Sequence, residues 1–143
     1  MSDTERETFL EVTQEKGARF VGGARAGEVV MLNLLRFRDR ADYSHAPELE
    51  PEGGTTGEVA YRTYMAAIEP LLIASGGGVL FAGKADEFLI GPDEEKWDLA
   101  LLVRQASVQS FLAFASEPAA QTAGHHRTAA LADSRLLPLW PET

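Results

Sequence analysis

The stretch from Glu28 to Phe37, reading Glu-Val-Val-Met-Leu-Asn-Leu-Leu-Arg-Phe, is a nearly continuous apolar run and constrains the fold more than any other feature of the chain. With a two-residue period, Val29, Met31, Asn33, Leu35 and Phe37 share one face, and Val30, Leu32, Leu34 and Arg36 share the other. Both faces are mostly apolar, which predicts a strand covered on both sides. Residues 97 to 104 repeat the pattern, with Trp97, Leu99, Leu101 and Val103 on one face and Asp98, Ala100, Leu102 and Arg104 on the other. A sheet with one layer of helices leaves one such face in water. A second copy packed sheet to sheet covers it, because a two-fold axis makes one patch complementary to itself.

The rest of the chain supplies the elements around these strands. Ser2-Asp3-Thr4, followed by Phe9, Leu10, Val12 and Thr13, predicts an N-terminal helix ending near Gly17, within an extension over residues 1–27. Residues 38–57 show no sustained period and are expected to form a long loop. Thr55-x-x-Glu58 is a capping box, opening a helix whose stripe is Tyr61, Tyr64, Met65, Ile68, Leu71 and Leu72. Pro70 should kink that helix and Gly76-Gly77-Gly78 should end it. Residues 79–82 and 88–90 read as one strand distorted near Gly83, and the turn at Gly91 to Lys96 makes the next strand antiparallel to it. Ser107 caps a short helix, Ser116 and Pro118 open another that runs to about Ala132, and Ser134 to Trp140 form a strand that Pro138 confines to an edge. The order is βαββαβ: one α+β domain with a ferredoxin-like core over residues 28–140.

Charge and composition narrow the partners. The 143 residues carry 22 acidic and 13 basic side chains, for a net charge of −9, and no cysteine. Thiolate catalysis, Cys-ligated zinc, iron–sulfur clusters and disulfides are thereby excluded. Acids are spread evenly and no basic patch is segregated, so neither nucleic acid nor an anionic membrane is expected as a partner. No apolar run approaches the ~20 residues needed to span a bilayer. The acidic N-terminus lacks a basic region followed by an apolar one, which predicts a cytoplasmic chain.

Several separated segments resemble one bacterial family in the right order: Val30 to Arg38, Tyr43, the Tyr61 and Tyr64 pair, Gly76-Gly77, Trp97-Asp98, Ser107 with Phe111, and His126 to Asp133. Over residues 29 to 137 the chain resembles domain of unknown function 1330. That resemblance implies a member of the dimeric α+β barrel superfamily, with a ferredoxin-like sheet and a face-to-face homodimer. Two positions depart from the family pattern. Gln105-Ala106 replaces a frequent Tyr-Pro, and Ala119-Ala120 replaces a frequent tyrosine, so aromatic contributions from those positions are absent.

Polar side chains within apolar elements are the candidates for chemistry, since a buried polar group needs a partner. Asn33 either bonds neighbouring backbone or orients a ligand. Arg36 either marks a strand end or, with Arg38 and Arg40, clamps an anion. Asp98 and Arg104 share a face but lie six residues, about 20 Å, apart. Asp98 either orients a histidine or acts as a base, or it forms an internal salt bridge with an arginine such as Arg127. Adjacent His125 and His126 do not make the i, i+4 chelate of metal sites, and no metal is expected. The helical wheel turns His126 inward and His125 to solvent, with Arg127 bordering the buried stripe. Tyr61 and Tyr64 are core residues or hydrogen-bond donors to a substrate oxygen.

The expected function is therefore binding or cofactor-free conversion of a small oxygenated compound, anionic in one version, by acid–base chemistry or oxidation. His126 and Asp98 would be the catalytic pair, with Asn33, Arg36, Tyr61, Tyr64, Arg104 and Arg127 binding substrate in a mostly apolar pocket between sheet and helices. The alternatives are a noncatalytic dimeric module, in which the same residues form a structural network, and a haem-binding dimeric barrel with open space beside an inward histidine.

Overall fold

The computed structural model describes residues 7–23 and 25–142. Four strands, β1 (Val29–Phe37), β2 (Gly78–Lys84), β3 (Leu99–Gln105) and β4 (Leu131–Leu139), form one antiparallel sheet in the order β2-β3-β1-β4. Helix α1 (Gln14–Gly22) precedes β1, α2 (Gly57–Ala74) joins β1 to β2, and α3 (Val108–Ser116) with α4 (Pro118–Ala130) joins β3 to β4. The two apolar strands, β1 and β3, are the central pair. The architecture is α+β and ferredoxin-like.

Register divides the sheet into two unlike faces. Val29, Met31, Leu35, Leu99 and Leu101 are buried and form part of the core under the helices, with Ala60, Tyr61, Ala129 and Ala130 above them. On the other face Val30, Leu32 and Leu34 lie opposite Arg104, Leu102 and Ala100 of β3 and opposite Leu139, Leu137 and Arg135 of β4. Phe81 of β2 aligns with Leu102. Among the described residues no helix covers this side: Phe81 is 58% exposed and Leu137 53%.

Close backbone contacts fix the helical layer. Thr56 caps α2 through its hydroxyl, which accepts from the Val59 N–H at 3.1 Å. The next residue, Gly57, lies so near Arg38 and Ala130 that a Cβ would meet the Arg38 carbonyl at 2.2 Å and the Ala130 carbonyl at 2.6 Å. Only glycine fits there. The segment after β1 is tied to the end of α4 by Arg38 N–H to Ala130 O at 2.8 Å and Asp42 N–H to Ala129 O at 2.9 Å. Residues 38–56 are thus held against the core, with one 3₁₀ turn at Pro47–Leu49.

Several boundaries differ from expectation. The N-terminal helix begins at Gln14, capped by Thr13, near where the sequence pattern would end it; Ser2-Asp3-Thr4 lies outside the described residues. Thr13 wins because its hydroxyl accepts the Lys16 N–H. The α2 cap is Thr56 rather than Thr55, and α2 continues through Pro70, which is solvent-exposed, so water can reach the carbonyl that proline leaves without a donor. Helix α4 starts with Pro118 after Glu117 and ends at Ala130, where β4 begins three residues before its expected start. Residues 88–90 are not strand. β2 ends at Lys84 and its register shift falls between Val79 and Phe81 rather than at Gly83.

Candidate functional site

The polar candidates separate into groups set by strand register. Asp98 stands just before β3, where its Oδ2 accepts the Phe37 N–H at 2.8 Å while its own N–H donates to Leu35 O at 2.8 Å. The carboxylate therefore ties the end of β1 to the start of β3. The expected ion pair with Arg127 is not formed. Arg127 projects from α4 toward β4, where Nη1 donates to Leu10 O at 2.6 Å and Nη2 to Ser134 Oγ at 3.3 Å. The backbone of Phe9 and Leu10 crosses there and takes the position that a carboxylate would need.

Arg36 lies on the open face opposite Asp133. Asp133 is only 2% exposed, and its Oδ1 accepts from Phe9 N–H at 2.9 Å, Ser134 N–H at 2.8 Å and Arg135 Nη1 at 2.7 Å. The Arg135 guanidinium lies over both the Phe9 and Trp97 rings, 5.0 and 4.9 Å from their centroids. Arg104 is at the far end of the sheet, with Nε on Glu28 Oε2 at 2.5 Å and Nη1 on Gly76 O at 2.6 Å. Asn33, in the middle of β1 on the helical side, donates to Met31 O at 3.2 Å.

The helical side brings a different set together. Tyr61 and Tyr64 stack at 5.4 Å, and Tyr61 also meets Phe37 at 5.6 Å. Burial pushes both phenols above the usual range, only partly offset by the Arg127 guanidinium; Tyr64 pushes Tyr61 further. Both are neutral donors at physiological pH. Neither hydroxyl forms a hydrogen bond among the described residues.

His126 is half-buried and His125 exposed, as the helical wheel predicts. Tyr43, 3% exposed, places its hydroxyl 2.6 Å from His126 Nδ1. Burial lowers the imidazole pKa, with His125 contributing, and burial together with the Glu50 charge raises that of the phenol. With both groups neutral, the phenol donates, Nδ1 accepts and the imidazole proton resides on Nε2. Beside them His45 Nε2 is 3.2 Å from His125 O, with the two rings 5.3 Å apart. All three histidines of the chain thus line one seam between α4 and the 38–56 segment. Among the described residues no three His, Cys, Asp or Glu are placed to hold a metal ion.

Two surface clefts lie elsewhere. One follows the outer face of α2 from Thr56 to Ala66, and the other sits between Phe20, Arg25 and Trp140 at the junction of α1 and β4. The eight nominated residues therefore do not line one common pocket. Asp133, Ser134 and Tyr43 acquire their importance from partners 83 to 125 positions away, which no local pattern announces. The one sequence signal was Asp133 facing Arg135 two residues on, within an otherwise apolar strand.

Against solved structures, the chain is similar to RPA0582, a protein of unknown function from Rhodopseudomonas palustris. They share 35% identity over 96% of this chain and 99% of that one, with a TM-score of 0.85. The chain belongs to the RPA0582 family. Methylated RPA0582 gives 36% identity over 95% and 96% of the two chains, with a TM-score of 0.84. A dimeric ferredoxin-like protein of unknown function from Bacteroides fragilis is far more distant, at 18% identity over 78% of this chain and 94% of that one, with a TM-score of 0.47. No protein-family model matches the sequence, domain of unknown function 1330 included, and no curated protein matches it. No helix among the described residues is long and apolar enough to cross a membrane.

Proposed function

We propose that the protein binds a small oxygenated anion, such as a carboxylate or enolate, on the helical side of its sheet, between Tyr61, Tyr64 and Arg127. The observation that carries this reading is the buried Tyr61 beside the half-buried Tyr64, neither hydroxyl hydrogen-bonded among the described residues, in the field of the Arg127 guanidinium. Two O–H donors beside a positive charge suit an oxyanion, and the apolar surroundings strengthen both interactions. His126, one residue before Arg127 on α4 and with its proton on Nε2, is the group we propose for proton transfer. Asp98 serves the sheet rather than His126.

The test is a thermal-shift and calorimetric screen of small carboxylates and phenolates on the wild type, Tyr61→Phe and Tyr64→Phe. A ligand at a hundred times its Kd stabilises by about 2.7 kcal/mol, and either substitution should abolish most of that gain. Equal shifts in all three proteins would refute the site.

We also propose that the protein is a homodimer joined through the open sheet face, because Leu32, Leu102, Phe81 and Leu137 form an apolar surface that no helix covers among the described residues. A noncatalytic module has one observation in its favour. Asp98, Arg104 and Arg127 all spend their hydrogen bonds within the chain. The haem alternative needs open space beside His126, where the Tyr43 ring lies against it at 5.5 Å.

A further inference from the structure

We infer that the loop between β2 and β3 is a dimerisation arm, whose tip residues Leu89 and Ile90 dock on the open sheet face of a second copy of this chain. The inference rests on the homodimer reading and goes beyond it by naming a segment outside the sheet that holds the two copies together.

Leu89 is 99% exposed and Ile90 96%, more than any other large apolar side chain among the described residues. Their neighbour Phe88 folds back instead: its ring lies over Gly91, where a Cβ would come within 2.7 Å of the ring carbon. The turn folds one apolar residue, still 37% exposed, back over a glycine and leaves the next two pointing outward. Its base is fastened by Ala85 N–H to Asp98 O at 3.0 Å and by Trp97 Nε1 to Glu95 Oε2 at 3.0 Å. The same Trp97 ring carries the Arg135 guanidinium of the open face, so the arm leaves the fold at the border of that face.

Charge selects the occupant. Asp86 and Glu87 precede the tip, and Asp93, Glu94 and Glu95 follow it. A chain of net charge −9 repels its own copies unless acids meet bases. Three arginines, Arg36, Arg104 and Arg135, belong to the open face and border its apolar middle. Arg104 is paired with Glu28 and Arg135 with Asp133, and each uses only part of the five N–H donors of its guanidinium within the chain. An apolar tip flanked by carboxylates matches an apolar patch bordered by guanidiniums.

Sedimentation equilibrium at micromolar concentration tests this on the full chain, with Leu89→Asp/Ile90→Asp beside the wild type. The wild type should be dimeric and the variant should dimerise about tenfold or more weakly, since charges replace two buried aliphatic groups. Circular dichroism should be unchanged, because neither side chain packs within the subunit. A variant that dimerises as tightly as the wild type overturns the arm while leaving the sheet dimer standing. A monomeric wild type overturns both. Flotation of the wild type, but not the variant, with phosphatidylcholine vesicles, at unchanged dimer affinity, overturns the arm in favour of a lipid surface. Because the chain has no cysteine, Leu89→Cys labelled with a benzophenone maleimide gives an independent readout. Crosslinks should map to the partner's strands, and crosslinks confined to the same subunit would overturn the proposal.

Discussion

Removing either half of the Tyr43–His126 pair should destabilise the protein by unequal amounts, because the two groups are not equally buried. The hydroxyl lies 2.6 Å from Nδ1, and a net intramolecular hydrogen bond of this kind contributes about 0.5–1.5 kcal/mol. In Tyr43→Phe the half-buried imidazole can turn to water, so the loss should stay near that range, about 1 kcal/mol. In His126→Ala the phenol remains in a residue only 3% exposed, without its acceptor. That adds the penalty of an unsatisfied buried group, about 1–3 kcal/mol. Urea denaturation at pH 8 should therefore order the midpoints wild type, Tyr43→Phe, His126→Ala, and a double-mutant cycle should show coupling near 1 kcal/mol. The pH dependence adds a second check. The pKa of His126 in the folded protein lies below its ordinary 6.5, so the unfolded chain binds the proton more readily. Its contribution is fully present above 6.5 and is lost as pH falls through the lowered folded value. Nδ1 then becomes a donor and can no longer accept from Tyr43. In His126→Ala this part of the acid sensitivity should disappear. A milder loss in His126→Ala than in Tyr43→Phe, or parallel pH profiles for both proteins, would refute the assignment.

Two further substitutions probe the frame around the site. Gly57→Ala forces a Cβ against two backbone carbonyls and should cost about 2 kcal/mol or more, with the helical layer rather than the sheet showing the faster amide exchange; a loss below about 0.5 kcal/mol would show that the backbone gives way. Ser134→Ala removes the hydroxyl that donates to Phe9 O at 2.6 Å and accepts from Arg127, so residues 7–12 should be cleaved faster in limited proteolysis with the overall denaturation midpoint lowered by about 1 kcal/mol. Unchanged cleavage would mean that Asp133 and Arg127 hold the segment without the hydroxyl.

The sheet was legible because its signal is short-range. Side-chain alternation places Val30, Leu32 and Leu34 opposite Val29, Met31 and Leu35 whatever the rest of the chain does, and Pro138 excludes a central strand without reference to any partner. Ser107 as a cap is equally local. Residues 88–90 misled because apolar, β-prone side chains signal a strand only where another strand is available, and here the chain has already left the sheet at Lys84. The site was less legible for the opposite reason. Arg127 could be placed on the buried border of α4, but not next to Leu10, 117 positions earlier. Tyr43 sits in a segment without period, and only folding brings it to His126. Asp98 looked like a base because an acid inside an apolar strand needs a partner; the partner proved to be a backbone N–H, which leaves no mark in a sequence.

The treatment of the sheet's two rims bears on how far assembly can go. Along β4, Asp133 and Ser134 hold Phe9 across one end, and Pro138 has no N–H to offer near the other. Along β2 the register slips between Val79 and Phe81, which spoils the even ladder that an incoming strand would need. Neither rim invites another chain to extend the ladder, so further copies cannot be added one after another in a line. Contact is left to the flat side, and among the described residues only one such face is uncovered. An association through it is complete with the second copy. In the homodimer proposed above, the sticky surface that a bare apolar sheet presents would be turned toward a closed pair and away from fibres.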